Sequence, residues 1–360
     1  MYLAHSIENI SFDSVLEICS FLSTSDMLKL SFTCSTYYSI LKNEEIMKQH
    51  KFTMNENIDE FDFIKNLPYK ILNLDLNKNK NIQDRDFKYF IGIHYLDMSW
   101  CKQNTITDKA FKNLRGIHTL KMLFCDQKTI TDKAFKNLVG INTLNMLGCN
   151  QETITDDAFC NFKGIHSLDM TFCYQNTITD RAFGNLKGIH TLVISYCTQR
   201  KITDKAFKNL RGIHTLNMSN CCQNTITDKA FENLRGIHTL IMTECNQNTI
   251  TDNAFKNLKG IHTLNISRCK QNTITDNAFE YLRGIHTLNI SHCKQRTITD
   301  KAFKNLRGIH TLKMSECNQK TITDKALENL KGIYCIDIRF CNQITDKAFE
   351  NLKGYIGQYV

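Results

Sequence analysis

The sequence predicts an α/β solenoid, and three observations carry that prediction. A glycine returns every 24 residues from Gly92 to Gly332, and a cysteine keeps the same step from Cys101 to Cys341. A fixed period of this size is the mark of a repeat array. Within one period, apolar residues alternate around Leu120 and Met122, which is the period of a strand. Further on, Ala134, Phe135 and Leu138 fall at helical spacing. Each unit therefore reads strand, turn, short helix.

The helix boundaries have local causes. Thr131 or Asp132 is a natural N-cap, because a short side-chain oxygen accepts a backbone N–H that the first turn leaves free. Gly140 ends the helix, where a left-handed backbone is cheapest without a Cβ. The basic residue before that glycine, as at Arg115, Lys163 and Arg211, suits the negative end of the helix dipole. Twelve such units fill residues 71–354. Strands pair about 4.8 Å apart, whereas packed helices need about 8–10 Å. Stacked units must then curve into a horseshoe, with a parallel sheet on the concave face and helices on the convex face. Its concave face would run for about 55 Å.

The repeat resembles the leucine-rich repeat, L-x-x-L-x-L-x-x-N/C-x-L. The last unit, Cys341-Asn342-Gln343-Ile344-Thr345-Asp346, has the C-x-x-I-T-D turn of the cysteine-containing subtype. The first unit has the asparagine form, with Ile71, Leu74, Leu76, Asn79 and Ile82 at the pattern positions. Ten units between them carry two extra turn residues, as in Cys125-Asp126-Gln127-Lys128-Thr129-Ile130.

Composition narrows the class. The chain has 360 residues, 42% of them hydrophobic, yet no apolar run reaches the length of about 18 that a membrane span needs. Its first residues lack the basic and apolar regions of a secretory signal. Of sixteen cysteines, eleven occupy one repeat column. Stacked inside, they would act as small hydrophobes with a weak S–H donor, in the place of the asparagine that bonds the turn. A reducing compartment, cytoplasm or nucleus, is expected. The net charge of +9 is spread over the helices with acidic residues between, as on a solvated outer face.

Residues 1–50 do not repeat and form a separate module. Val15, Ile18, Phe21 and Leu22 share one helical face, Ser23 to Asp26 make a turn, and two further helices follow. Three helices of this size are marginal alone and should dock on something. The stretch resembles an F-box. Leu22-Ser23-Thr24-Ser25-Asp26-Met27-Leu28-Lys29-Leu30 matches the L-x-x-x-D-L-x-x-L centre, and Cys34 and Tyr38 match the later Cys and aromatic. The opening departs, with Ile10-Ser11 where Leu-Pro is usual. Residues 51–70 read as a polar linker and a half-repeat cap ending at Pro68, and residues 355–360 as a minimal C-terminal cap.

An F-box ahead of a leucine-rich array is the architecture of F-box/LRR proteins. The near-identical repeats and the Asn-, Ile- and Lys-rich composition are similar to such proteins of amoeba-infecting giant viruses or social amoebae. The resemblance implies the substrate-recognition subunit of an SCF-type cullin–RING ubiquitin ligase, a monomer within that complex. Its F-box would dock on the adaptor through Ile10, Val15, Leu16, Ile18, Leu22, Leu28 and Leu30. Its array would hold an unknown target protein, in the cytoplasm or nucleus, or in the host cytoplasm if the chain is viral. An interaction scaffold unconnected to ubiquitin is the alternative, and a basic solenoid binding nucleic acid is a third reading.

The repeats also show where variation is allowed. Turn glutamine and Thr-Asp are uniform and read as scaffold. The residue after the strand leucine, the one before the cysteine and the one after it vary. The pre-cysteine column is aromatic in the N-terminal half and polar in the C-terminal half. Exposed aromatics are favoured binding anchors, so Trp100, Phe124, Phe172, Tyr174 and Tyr196 are the expected partner patch. A histidine column from His94 to His310 offers imidazoles without a converging carboxylate or thiol, so it is read as a neutral stack and not as a metal site. No nucleophile–base pair, P-loop or zinc-hydrolase motif occurs, and neither catalytic residues nor a cofactor are expected.

Overall fold

Three residues of each repeat form the strand, and the central one is always apolar and buried, as in Thr119-Leu120-Lys121. In the computed structural model the described residues are 11–22, 26, 39, 51–54, 71–352 and 358–359. They fall into two compact units, Met1–Ile154 and Thr155–Val360.

The first unit contains helix α1 (Phe12–Phe21) and strands β1 (Phe52–Thr53), β2 (Asn73–Asp75), β3 (Tyr95–Asp97), β4 (Thr119–Lys121) and β5 (Thr143–Asn145). The strands pair in parallel and in chain order. The second unit has nine strands, from β6 (Ser167–Asp169) through β13 (Cys335–Asp337) to β14 (Gln358–Tyr359), again parallel and in order. One-turn helices such as Asp132–Phe135 line the other side of each unit, some continuing as 3-10 turns such as Lys112–Leu114. This is the leucine-rich-repeat solenoid. β1 and β14 extend it by one strand at either end. Phe52 in β1 and Met54 just after it are buried, but so short an alternation does not read as a strand by pattern.

Pairing is in register, Leu120 against Leu144 and Leu192 against Leu216, so each side chain sits on its own copy one repeat away. Columns follow from that. Ile117, Leu120, Met122, Ile130, Ala134, Phe135 and Leu138 fill the core of one repeat and recur in the next. The Cys125 thiol donates to the Met98 carbonyl at 3.0 Å, and the Cys221 thiol to the Ile194 carbonyl at 3.0 Å. Here the structure differs from the sequence expectation. Asn79 accepts from the turn N–H groups of Asn81 and Ile82 at 2.9 and 3.0 Å, whereas the cysteine donates backwards to the preceding strand. A thiol donor does not replace an amide oxygen bond for bond. The turn glutamine adds a separate tie between repeats, with Gln127 Nε2 donating to the Cys101 carbonyl at 3.0 Å.

The cysteines behave as interior groups. Every cysteine from Cys101 to Cys341 is a free thiol. Burial pushes the thiols of Cys101, Cys221, Cys269 and Cys317 up to about 12, which keeps them protonated donors.

The helix start is built across repeats. Thr131 is the N-cap, its hydroxyl accepting from the Lys133 N–H at 3.2 Å. That Thr131 is held in turn by Asp108 of the preceding repeat. One carboxylate oxygen accepts its N–H at 2.7 Å and the other its hydroxyl at 2.8 Å. The pattern runs on through Asp180–Thr203, Asp204–Thr227 and Asp228–Thr251. Gly116, at φ +81°, then turns the chain back toward the next strand in a conformation a Cβ would strain.

At the N-terminus, α1 is started by Ser11, whose Oγ accepts from the Ser14 N–H at 3.3 Å. A serine cap therefore stands where an F-box usually has proline. The second and third helices expected for this module, and the 55–70 segment with Pro68, lie outside the described residues. Among the described residues no helix is long and apolar enough to cross a membrane.

The cross-repeat cap sets an expectation. Thr227→Val keeps the shape of the side chain but removes the hydroxyl that caps Lys229 and satisfies Asp204. A loss of about 1–2 kcal/mol in urea-unfolding free energy is expected. Unchanged stability would show that the Asp–Thr ladder does not hold the repeats together.

Candidate interaction surface on the strand face and turn edge

A site on a repeat protein lies where the columns stop being structural. The column after the strand leucine is variable in sequence, yet much of it is used internally. Asn145, Asp169, Asn217, Asn265 and Asn289 each accept the N–H two residues on, at 2.9–3.1 Å. Such Asx turns end the strand. Only repeats with Lys121, Val193, Ile241 or Lys313 at this position lack an Asn or Asp for that purpose. The column is thus less free than its variation suggests.

The pre-cysteine column is different. Its residues are left-handed throughout, from Trp100 (φ 63°), Phe124 (54°), Phe172 (59°) and Tyr196 (60°) to Phe340 (61°). A residue with a Cβ is disfavoured there by roughly 1–2 kcal/mol. The backbone demands it, because the N–H of Trp100 must reach the Leu123 carbonyl (2.8 Å) and that of Phe172 the Ser195 carbonyl (2.9 Å). Glycine would satisfy the position at least strain, but only Gly148 does so. Large aromatic and charged side chains are retained against a local penalty, and sequence reasoning offered no signal for it.

Four of the five expected anchors form two stacked pairs, one in each unit. In the first, the rings of Trp100 and Phe124 lie 4.3 Å apart. Phe124 also leans over Gly148, where an added Cβ would meet the ring at 2.5 Å. Lys102 sits 5.3 Å from the Trp100 ring and 3.2 Å from Asp126. In the second, Phe172 and Tyr196 stack at 4.4 Å. The rings pack on each other and still show their outer faces, Trp100 being 42% exposed and Tyr196 40%. Tyr174 is the fifth expected anchor. It stands on the turn, 54% exposed, beside Arg200. Phe340, 69% exposed, holds the equivalent position at the far end of the second unit and was not singled out from sequence.

Of the expected adaptor contacts, Val15, Leu16 and Ile18 lie in α1 and Leu22 just after it. Ile18 and Phe21, three apart on one face, are 36% and 82% exposed. Ile10, Leu28 and Leu30 lie outside the described residues.

The histidine column is a stack of rings. His94 and His118 stack at 4.5 Å in the first unit, and in the second His166 to His310 stack at 4.4–4.5 Å before ending on Tyr334. Nδ1 of His214 and of His262 lies 3.1 and 3.0 Å from the hydroxyl of the following threonine. Stacked rings point their nitrogens side by side and not toward one point, and among the described residues no His, Cys, Asp and Glu converge as metal ligands. Desolvation, and after it the neighbouring imidazoles, holds His190 and His262 below the usual histidine range. Their native affinity for protons is below that of the unfolded chain, near 6.5. The stability they contribute is therefore complete above about pH 6.5 and lost as pH falls through the native value. Melting temperature should drop between pH 7.5 and 5, and His190→Asn with His262→Asn should flatten the profile, since Asn142 already occupies this column. A flat wild-type profile would contradict the stack's protonation behaviour.

Comparison with known proteins agrees with this geometry. The model for the BspA-type leucine-rich-repeat region matches in overlapping stretches, 56–166, 80–214, 128–262 and 224–355, and the F-box domain model matches 7–49. A comparison with curated proteins finds no match. Among solved structures, an internalin, InlF of Listeria monocytogenes, is similar at 19% identity and a TM-score of 0.56, over 89% of this chain and 92% of that one. Rad7, in the crystal structure of the Rad7 and Elc1 complex in yeast, is similar at 16% identity and a TM-score of 0.53, over 94% and 88%. In the Drosophila Toll–Spatzle complex the similarity is 13% with a TM-score of 0.56, over 81% of this chain and 44% of that one. At these identities the likeness is one of fold.

Proposed function

The chain belongs to the BspA-type leucine-rich-repeat family and carries an F-box, and from that premise we propose that it recruits a target protein to an SCF-type cullin–RING ubiquitin ligase. The observation that carries this reading is the F-box match over residues 7–49, directly ahead of a repeat array. Helix α1 supports it, because its exposed Ile18 and Phe21 give a face an adaptor could cover. The yeast Rad7 structure, which shares the fold, was solved in complex with Elc1.

In this reading the chain performs no chemistry. It holds a target near a reaction carried out by other subunits, and proximity is its whole contribution. The aromatic pairs Trp100–Phe124 and Phe172–Tyr196 are the target anchors, with Tyr174 beside the second. They are rigid, half-exposed and retained in a backbone conformation that favours glycine. Rings of this kind lose little freedom on binding. A plain interaction scaffold would use the same anchors without the N-terminal module.

Capture of a eukaryotic F-box adaptor by the full chain, and its loss in a 51–360 form, is the expected outcome of a pulldown. Failure of both forms to capture the adaptor would leave the scaffold reading. For the target face, Trp100→Ala with Phe172→Ala should weaken the binding of whatever target the full chain captures by about tenfold or more. Unchanged binding by a stably folded double variant would remove these rings from the site.

A further inference from the structure

The edge where the chain enters the strands carries a row of charge that neither the F-box nor the aromatic anchors use. In the second unit every repeat from Lys163 to Lys331 has a lysine or arginine just ahead of its glycine, eight in succession. All eight are exposed. In-register pairing sets neighbouring repeats about 4.8 Å apart at the strands, so the row runs for about 34 Å.

The charge of this row is not cancelled. None of the eight makes an ion pair among the described residues, although Glu232, Glu280 and Glu328 stand three residues before members of the row. Arg235 and Arg283 donate to the neutral amides of Asn257 and Asn305 at 3.2 and 3.0 Å. From the cation to the start of the strand, as in Arg211-Gly212-Ile213-His214, no repeat places an aspartate or glutamate.

Local structure does not require the charge. The helical turn Asp228–Phe231 ends four residues before Arg235, and one turn aligns few peptide dipoles. Three places earlier in the repeat the exposed residues Cys160, Gly184, Lys208 and Glu232 follow one another, so a cation is not imposed on this side of the unit. In the row itself lysine and arginine exchange and the charge stays.

A second observation comes from the first unit. There the same place in the repeat holds Ile91, Arg115 and Val139. Ile91 is 54% exposed and Val139 65%, and among the described residues they are the exposed large aliphatic side chains of the repeats. Tyr334, 52% exposed, ends the histidine stack on this edge of the second unit. The edge thus carries cations and solvent-facing apolar side chains with no acid among them.

We propose that this edge docks on the surface of a membrane containing anionic lipid. Lysine and arginine are drawn to its negative surface potential, and exposed aliphatic and tyrosine side chains settle at the headgroup level. A bilayer surface takes both kinds of residue. A nucleic-acid strand would use the cations alone and would call for free ring faces on which its bases stack. The imidazoles of this edge close their faces on one another at 4.4–4.5 Å. Docking by this edge leaves the cysteine turns and their aromatic rings, at the other end of the strands, uncovered. The proposal adds a location to the target-recruiting reading and does not rest on it.

The test uses the full chain without adaptor and sucrose-loaded vesicles in a sedimentation assay. Vesicles of phosphatidylcholine with about one-third phosphatidylserine should bring the protein down, and vesicles of phosphatidylcholine alone should not. Raising salt from about 0.1 to about 1 M should weaken binding tenfold or more. Arg211→Gln with Lys259→Gln and Arg307→Gln should weaken it by about tenfold or more at an unchanged melting temperature, since all three side chains are exposed. A charge-matched control, Lys201→Gln with Lys270→Gln and Arg296→Gln, alters the opposite edge, where Lys270 and Arg296 line a cleft of about 480 Å³, and should bind like the wild type. Ile91→Ser with Val139→Ser should weaken binding severalfold. Equal sedimentation with both kinds of vesicle, or with neither, would overturn the proposal, as would an equal loss in the control. Tighter binding of oligothymidylate or of polyglutamate than of the anionic vesicles, at matched anionic charge, would overturn the assignment to lipid.

Discussion

In-register stacking is the constraint on which this molecule depends. A parallel strand pairs with its copy from the next repeat, so every side chain meets a version of itself about 4.8 Å away. Only certain groups tolerate such company. A column of carboxylates survives because each Asp spends both oxygens on the threonine of the next repeat, as Asp204 does with Thr227. A column of thiols survives because burial keeps them neutral. In the column of imidazoles, desolvation and then the neighbouring rings favour the neutral form of His190 and His262.

This explains why some columns are uniform and others are not. The partner of Thr227 is Asp204, and the partner of Gln247 is the Cys221 backbone. A change in one repeat would strand a group in its neighbour. The pre-cysteine column commits its backbone N–H to the next repeat, while its side chains meet one another, as in the Trp100–Phe124 stack and the Glu244–Arg268 pair. Side chains there are free to vary, and they do so in a backbone geometry that favours glycine.

The turn edge follows the same logic. Lys201 stands where Thr225 of the next repeat bonds the Ile202 carbonyl, and the amides of Gln295 and Gln319 lack the partner that Gln247 has in the Cys221 carbonyl. The F-box end departs differently. Ser11 caps α1 through its hydroxyl, so the helix start does not need the proline that the family pattern places there.

Much of this was legible in the amino-acid order. The period of Gly92 to Gly332, the alternation at Leu120 and Met122, and the Thr131–Asp132 cap fix repeat, strand and helix, because each depends on residues close together in the chain. The aromatic run at Trp100, Phe124, Phe172 and Tyr196 was visible for the same reason. What only the tertiary structure decided lies between repeats. The direction of the cysteine hydrogen bond, the carboxylate grip of Asp108 on Thr131, the left-handed backbone beneath Trp100, and the meeting of Lys270 with Arg296 at one cleft all join residues more than twenty positions apart or set by them. A sequence pattern records what stands at each place in a repeat, and the stacking of one repeat on the next determines what each residue touches.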